Sequence, residues 1–563
     1  NYLYIREYHK KLMIGIFEPN AKNAFIKTNK VPDNFSFGEF KVDKSYVNQL
    51  HQLASKRIPD INKLKIEKYF SGPESFTPDT NYLLGETAEI KNLFVCCGFN
   101  SIGIGSGGGA GKATAEWMMN GCMNDDLFAL DIKRFEKFNS SIKFIKKRVT
   151  ETLGTLFKMH WPHKQLLTSR NVKLLPYHEA LKKAGACFGA VAGYERPMWY
   201  SIDKKNTNYK YSFGYQNWYD SAKRETINTR KNLSLFELTP FAKFEVSGKF
   251  AHEQLQFLCS NNIKNIQGKT TYTQMLNLNG GIESDVTIAC IKNDHFRIIS
   301  PAMCRIRDKT HILRNIKKNI NFKDVTENYA CLGVFGPKSR NFLTNLIGDY
   351  FSTEKFPFAT GKSILFKKTN LWIQRLSFVG ELGWEIFIPI KDAKTIFQTI
   401  LKSGKKSSLT LAGMHCLDIL RLEKKFLHWG HDITNENNPL EAGLRFAVSF
   451  KKKENFIGRD SLEKIEKKPL RKKLSLFSLA HNKEPGFPLL LHDEPIFFKN
   501  RIVGYSTSSN YSFGHKKNIF LGYVDTNIDI ENEFLDIEIE GRKYKSIYEP
   551  NPLHDPQNKL MKI

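Results

Sequence analysis

Tyr272-Thr273-Gln274-Met275-Leu276-Asn277 leads into Asn279-Gly280-Gly281-Ile282-Glu283-Ser284-Asp285-Val286-Thr287. Strand-forming residues lie on both sides of the Gly280-Gly281 break, and on these residues alone Asp285 is no more than a hairpin-turn acid. Four later stretches change its standing: Arg375-Leu376-Ser377-Phe378-Val379-Gly380-Glu381-Leu382-Gly383-Trp384-Glu385, Arg421-Leu422-Glu423-Lys424-Lys425-Phe426, His428-Trp429-Gly430-His431-Asp432-Ile433 and Pro439-Leu440-Glu441-Ala442-Gly443-Leu444. Taken singly, Glu385 is an exposed strand acid, and Arg375 and Arg421 are as readily structural ion pairs as ligand contacts. The order of the five stretches carries the information.

Outward from this region, strand and helix signals alternate from about 221 to 450. Lys451 to Lys473 is charged and linker-like, and Lys473 to Ile547 is a series of short strands broken by Gly and Pro, as in a small β-barrel. Residues 125–220 are a connecting region with Trp161, Trp199 and Trp218. Upstream, Leu93-Phe94-Val95-Cys96-Cys97 is a buried strand, Gly98 to Gly111 a glycine-rich turn, and Ala113 to Met119 a helix. The expected domains are therefore 1–124, 125–220, 221–450 and 451–563. The fold class is α/β and α+β multidomain.

A chain of 563 residues is too long for a single core. Its net charge of +28 invites a nucleic-acid reading. The lysines, however, are scattered in short groups among Asn and Ile, with no RNA-binding aromatic signature, so no nucleic-acid partner is expected. No run approaches the roughly 18 apolar residues of a membrane span. The nine cysteines show no Cys-x-x-Cys or Cys/His spacing, so free thiols and no metal are expected. Gly103-Ile104-Gly105-Ser106-Gly107-Gly108 matches G-x-G-x-x-G, but no acid-terminated second strand follows it, which leaves a dinucleotide fingerprint weak.

The five ordered stretches resemble the aminomethyltransferase (glycine-cleavage T-protein) fold as carried by dimethylglycine and sarcosine dehydrogenases. Phe94 to Ser101, Gly107 to Gly111 and Ala115-Glu116-Trp117 are similar to the last flavin-contacting segment of the glycine/sarcosine oxidase superfamily, and Gly72 to Asp79 to the loop before it. The resemblance continues through Gly504-Tyr505-Ser506-Thr507-Ser508 and Glu549-Pro550. It implies the C-terminal part of an FAD domain followed by a three-part folate module ending in the barrel.

By that resemblance Gly98, Asn100, Ser101, Gly107, Gly108, Gly109 and Gly111 face the isoalloxazine of FAD. Glycines let the backbone approach the ring, and the helix N-terminus steadies negative charge there. The flavin-linking His and the catalytic His and Tyr are expected upstream of this chain, so FAD is expected to be held poorly by it alone. In the folate module Glu385 is expected on the pterin edge and Asp285 near the reacting nitrogens. Arg375 and Arg421 would steady these acids or the cofactor's anionic tail. Phe378 stands where the family has Tyr, one hydrogen bond fewer, about 1 kcal/mol.

The implied reaction oxidises an N-methylated glycine at FAD and passes the carbon to tetrahydrofolate, giving 5,10-methylenetetrahydrofolate. Partners would be that small amine, folate with or without a polyglutamate tail, and an electron acceptor that the sequence does not identify. The compartment would be the cytoplasm in a bacterium or the mitochondrial matrix in a eukaryote. A regulator of the same architecture, like the pyruvate dehydrogenase phosphatase regulatory subunit, is the alternative.

Overall fold

His9 and Lys10 both take positive φ, 50° and 61°. These angles suit a two-residue hairpin turn, whose twist matches the strands it joins. Here they join β1 (Leu3–Tyr8) to β2 (Lys11–Ile16). This hairpin opens the first of two units in the computed structural model, which describes residues 3–123, 125–481 and 484–563. The first unit takes the chain up to residue 120 together with 127–172, and the second takes 121–126 and 173–563.

The first unit also contains α1 (Lys44–Ser55), a second hairpin of β3 (Leu83–Glu86) and β4 (Phe94–Cys97), α2 (Gly103–Asn120) and α3 (Ile142–Thr155). Asp43 starts α1 by accepting the Ser45 N–H at 3.0 Å. The glycine-rich segment differs from its expected form. Only Gly98 to Ile102 is a turn, and Gly103, Gly105, Gly107, Gly108, Gly109 and Gly111 are helical. Six helical glycines cost roughly 3–6 kcal/mol against alanine. Trp117 anchors the helix from its other end, buried against Phe94 and over Gly85, where a Cβ would sit 2.1 Å from the indole.

The second unit begins with α4 (His178–Lys183), the hairpin β5 (Ala186–Val191) and β6 (Tyr194–Tyr200), and α5 (Tyr219–Lys231). The division at residue 172 lies well before the expected boundary near 220. Trp199 and Trp218 account for the difference, because they pack with Ala222, Ile419 and Phe513 of the later chain. Next come β7 (Leu233–Glu237), β8 (Ala242–Ser247), α6 (Ala251–Leu258), β9 (Thr270–Leu276), β10 (Ile282–Lys292), β11 (His295–Ser300), α7 (Arg305–Asn315) and β12 (Asn321–Asp324). They are followed by β13 (Tyr329–Phe335), α8 (Ser339–Ile347), β14 (Gly361–Phe366), β15 (Thr369–Gln374), β16 (Gly383–Pro389), α9 (Ala393–Gly404), β17 (Leu409–Ala412) and α10 (Met414–Glu423).

Two sheets result, one ordered β12-β8-β11-β10-β9 and the other β14-β15-β16-β13-β7-β17. Strand alternation fixes what each face does. In β10, Val286, Ile288 and Cys290 enter the core with Leu255 and Ile312 of α6 and α7. In β16, Trp384, Ile386 and Ile388 pack on Phe342 and Phe397 of α8 and α9. The opposite faces meet in a third cluster, where Ala289 of the first sheet joins Cys331, Trp372 and Phe387 of the second and Leu417 and Leu420 of α10. Asp285 and Glu385 lie on those inward faces.

The segment 451–473 is more than a linker, because α11 (Arg459–Glu466) lies inside it. Buried Lys452 donates to the carbonyls of Gln256, Cys259 and Asn261, capping the end of α6. A closed barrel follows, built of β18 (Lys472–Leu479), β19 (Pro495–Phe498), β20 (Arg501–Ser512), β21 (Lys517–Asp525), β22 (Leu535–Ile539) and β23 (Arg542–Glu549). Among the described residues no helix is long and apolar enough to cross a membrane.

Candidate functional site

Asp285 stands directly opposite Gln274 across the β9–β10 ladder, and Glu385 directly opposite Gln374 across β15–β16. In both pairs the amide donates to the carboxylate: Gln274 Nε2 to Asp285 Oδ1 at 2.8 Å, and Gln374 Nε2 to Glu385 Oε2 at 2.7 Å. An amide oxygen turned toward an ionised carboxylate would be repelled, so the acid fixes which end of each amide faces it.

The two acids otherwise sit differently. Trp372 Nε1 donates to the Gln374 carbonyl at 3.3 Å, so an indole holds the amide that holds Glu385. The Gln274 carbonyl is buried without a partner among the described residues. The Tyr272 hydroxyl also lies beside Asp285 and favours its ionised form. Burial pushes Asp285 up to about 6, with Gln274 and Tyr272 pulling against it and the Asp308 carboxylate adding to it. Burial likewise raises Glu385, opposed by Gln374. Gly333 faces Glu385 from β13, and a Cβ there would lie 2.4 Å from the Phe335 ring, so no side chain larger than glycine fits beside the acid.

The Gly280-Gly281 break ties this hairpin to the later stretches. A Cβ on Gly281 would lie 2.0 Å from the Asn435 carbonyl, so only glycine lets the two backbones meet. Beside it, the Ile282 N–H donates to the Asn437 carbonyl, and Trp429 Nε1 donates to the Ile282 carbonyl at 3.0 Å. Phe378, half-buried between β15 and β16, stacks on Phe426 with ring centroids 6.1 Å apart.

Neither expected arginine reaches the acids. Arg375 is fully buried and donates to the backbone carbonyls of Phe356, Met561 and Ile563, which holds the chain's last residues. Arg421 holds Asp418 (2.8 Å), Asp432, the Phe426 carbonyl and Ser508 Oγ (2.7 Å), joining α10 to the 426–432 loop and to β20. Burial opposes its charge, but Asp418 and Asp432 outweigh that and raise its pKa. Both are structural cations: Arg421 has every guanidinium nitrogen bonded, and Arg375 has both terminal nitrogens bonded, with its Nε buried without a partner among the described residues. Tyr272, Gln274 and Gln374 had been given no role, although Tyr272 and Gln274 lie two positions apart on the strand face that Asp285 shares.

In the first unit, Gly98, Asn100 and Ser101 all have positive φ (69°, 49° and 67°). Asn100 is buried and occupied: its side-chain oxygen accepts the Thr77 N–H at 2.8 Å and its amide donates to the Gly98 carbonyl, locking the turn. Ser101 Oγ donates to Glu74 at 2.7 Å. A Cβ at Gly105, Gly107, Gly108, Gly109 or Gly111 would meet nothing within 4 Å. Helix stability is given up here without any packing gain from this chain, which suits close approach by a flat ring. The residues present are compatible with a flavin: the open glycine face would admit its ring, and Asn100 supports the turn.

Four protein families match in order along the chain: FAD dependent oxidoreductase at residues 1–117, FAD dependent oxidoreductase central domain at 120–174, GCVT N-terminal domain at 177–452, and glycine cleavage T-protein C-terminal barrel domain at 472–555. The chain is 34% identical, over its whole length and 67% of the relative, to a 4-methylaminobutanoate oxidase (formaldehyde-forming) of Paenarthrobacter nicotinovorans. It is 31% identical to the mitochondrial sarcosine dehydrogenase of Homo sapiens, over 93% of this chain and 60% of that one. It thus spans about two thirds of the length of these curated relatives. The glycine cleavage system aminomethyltransferase T of Bartonella henselae shares the fold of 68% of the chain, with 99% of its own length covered, a TM-score of 0.59 and 22% identity.

Proposed function

The chain belongs to the family of FAD-dependent oxidoreductases that carry a glycine-cleavage T-protein module, and we propose that it forms the folate-handling part of an enzyme that demethylates an N-methylated amino acid. The supporting observation is the pair of acids, Asp285 and Glu385, each held by a cross-strand glutamine on the inward faces of two packed sheets. In the flavin part, bound FAD would supply the oxidation of the N-methyl group.

This chain's residues would then handle the carbon. Glu385, held by Gln374 and Trp372, accepts hydrogen bonds from the N–H edge of the pterin and fixes its orientation. Asp285, between Tyr272 and Gln274, accepts the proton lost as a folate nitrogen adds to the iminium carbon, and passes it to the amine that leaves as the second folate nitrogen closes the methylene bridge, or to solvent. The inward faces keep water from competing for that carbon. Calorimetric titration of the chain with tetrahydrofolate tests the reading, which predicts saturable binding that Glu385→Gln weakens. A wild-type chain that does not bind tetrahydrofolate would rule it out.

A further inference from the structure

Arg196 lies in β6, opposite Gly189, within the Tyr194-Glu195-Arg196-Pro197 stretch. Its charge lies within electrostatic reach of Tyr209, Glu237, Asp418 and His428. Its side chain nevertheless makes no hydrogen bond or ion pair with any described residue, in contrast to the other interior arginines. Arg297 holds Glu245, Arg307 holds Glu283, and Arg375 and Arg421 are engaged as described above.

Neither acid near Arg196 forms an ion pair with it, and their hydrogen bonds run to other groups. Both Asp418 oxygens are taken, one by Arg421 and one by Asn510. Glu237 accepts from Tyr177 and from the Thr239 N–H, both on Oε1, while its Oε2 is buried without a hydrogen bond among the described residues. The ring nitrogens of His428 make no hydrogen bond with a described residue either; its ring packs on His431, centroids 4.7 Å apart. Arg196 is partly solvent-accessible, yet burial dominates its surroundings and lowers its pKa. A half-buried guanidinium with no bonded acid keeps donors and charge that an anion can complete. The loop that carries His428 borders the candidate site, since Trp429 of that loop bonds β10 and Phe426 stacks on Phe378.

We propose that Arg196 is a carboxylate-recognition residue of the folate module, an inference that rests on the function proposed above. The planar fork of a guanidinium matches a carboxylate with two parallel hydrogen bonds. Two ligands of the proposed reaction bring one: folate through its tail glutamate, and the amino acid that delivers the carbon. Arg375 and Arg421, already bonded to the protein, are not free to bind either. His428, kept neutral by burial and by the neighbouring charges of His431 and Arg421, can add a hydrogen bond without adding charge.

The test uses the whole chain as wild type, Arg196→Met and Arg196→Lys. Calorimetry is run with tetrahydrofolate, with a tetrahydropterin lacking the glutamate, and with N-methylglycine; thermal melting is recorded without ligand. Arg196→Met should melt higher than wild type, because an unpaired charge has been removed, and should bind at least one carboxylate ligand about tenfold or more weakly. Arg196→Lys should fall between, retaining charge but losing the fork. Loss for tetrahydrofolate with tetrahydropterin unchanged identifies the tail glutamate, and loss confined to N-methylglycine identifies the amino acid. Equal loss for tetrahydropterin, a lower melting temperature for Arg196→Met, or unchanged affinity for both carboxylate ligands overturns the proposal. Wild-type protein that binds no tetrahydrofolate fails the functional reading itself, whatever the variants do.

Discussion

The five-stranded and six-stranded sheets each carry one acid on a glutamine across the strand, yet the two acids are finished differently. Glu385 is held by an ordered relay: Trp372 fixes Gln374, and Gln374 fixes the carboxylate. Asp285 has a glutamine whose carbonyl is buried unpaired among the described residues, a tyrosine hydroxyl, and a second carboxylate, Asp308, close enough to raise its pKa. A group that must only hold a ligand benefits from the first arrangement. A group that must exchange a proton near neutrality benefits from the second, because its two protonation states lie close in energy. The same local motif, a carboxylate facing a cross-strand amide, thus suits two tasks according to what stands behind it.

The largest expected effect is on the fate of the carbon. In an enzyme carrying a complete flavin domain, Asp285→Asn should leave amine oxidation running. Capture on folate should fall by about tenfold or more, with free formaldehyde rising in its place. In the wild type, capture should weaken as pH drops below about 6, where Asp285 takes up its proton, and Asp285→Asn should lose that dependence. Formaldehyde released per amine oxidised, measured between pH 5 and 8, checks both.

The next effect is on stability. The folded-state pKa of Asp285 is raised from 3.8 to about 6, so the folded state holds more protons than the unfolded state between those values. Stability from this group therefore falls as pH rises through that window, to a cost of at most about 3 kcal/mol above it. Asp285→Asn should accordingly raise the melting temperature at pH 7.5 and change it little at pH 4. A variant that melts lower at pH 7.5 would mean that the acid is stabilising, as a structural residue would be.

Smaller effects distinguish what supports each acid. Phe378→Tyr restores the family's hydroxyl beside the Phe426 stack and should tighten tetrahydrofolate binding by about 1 kcal/mol, several-fold in Kd. Trp372→Phe leaves the Gln374 carbonyl without its donor and should weaken binding by roughly 0.5–1.5 kcal/mol, in step with Glu385 losing its orientation. Equal affinity for Trp372→Phe and wild type would remove the relay from the account.

The order of the five stretches was legible in the sequence because chain order is a local property, whereas both acids stood out only through the family resemblance. The partners of the arginines were not legible. Arg375 meets Met561 and Ile563 nearly two hundred residues away, and Arg421 meets Ser508 on the barrel. Arg196 lay outside the five stretches, and nothing local marks an arginine as unpaired. The glycine-rich segment was expected to be a turn because glycine favours turns, but a helix anchored at Trp117 overrode that preference. Lys452 was assigned to a charged linker, although its ammonium is buried on the carbonyls at the end of α6.

The division of labour between the acids is tested most directly by titrating tetrahydrofolate into wild type, Glu385→Gln and Asp285→Asn side by side. Glu385→Gln places an amide N–H against the donors of the pterin edge and removes a charge, so its affinity should fall by roughly 1.5–3 kcal/mol. Asp285→Asn should bind within a few-fold of wild type. Equal losses in the two variants, or a larger loss for Asp285→Asn, would contradict the assignment of binding to Glu385 and proton transfer to Asp285.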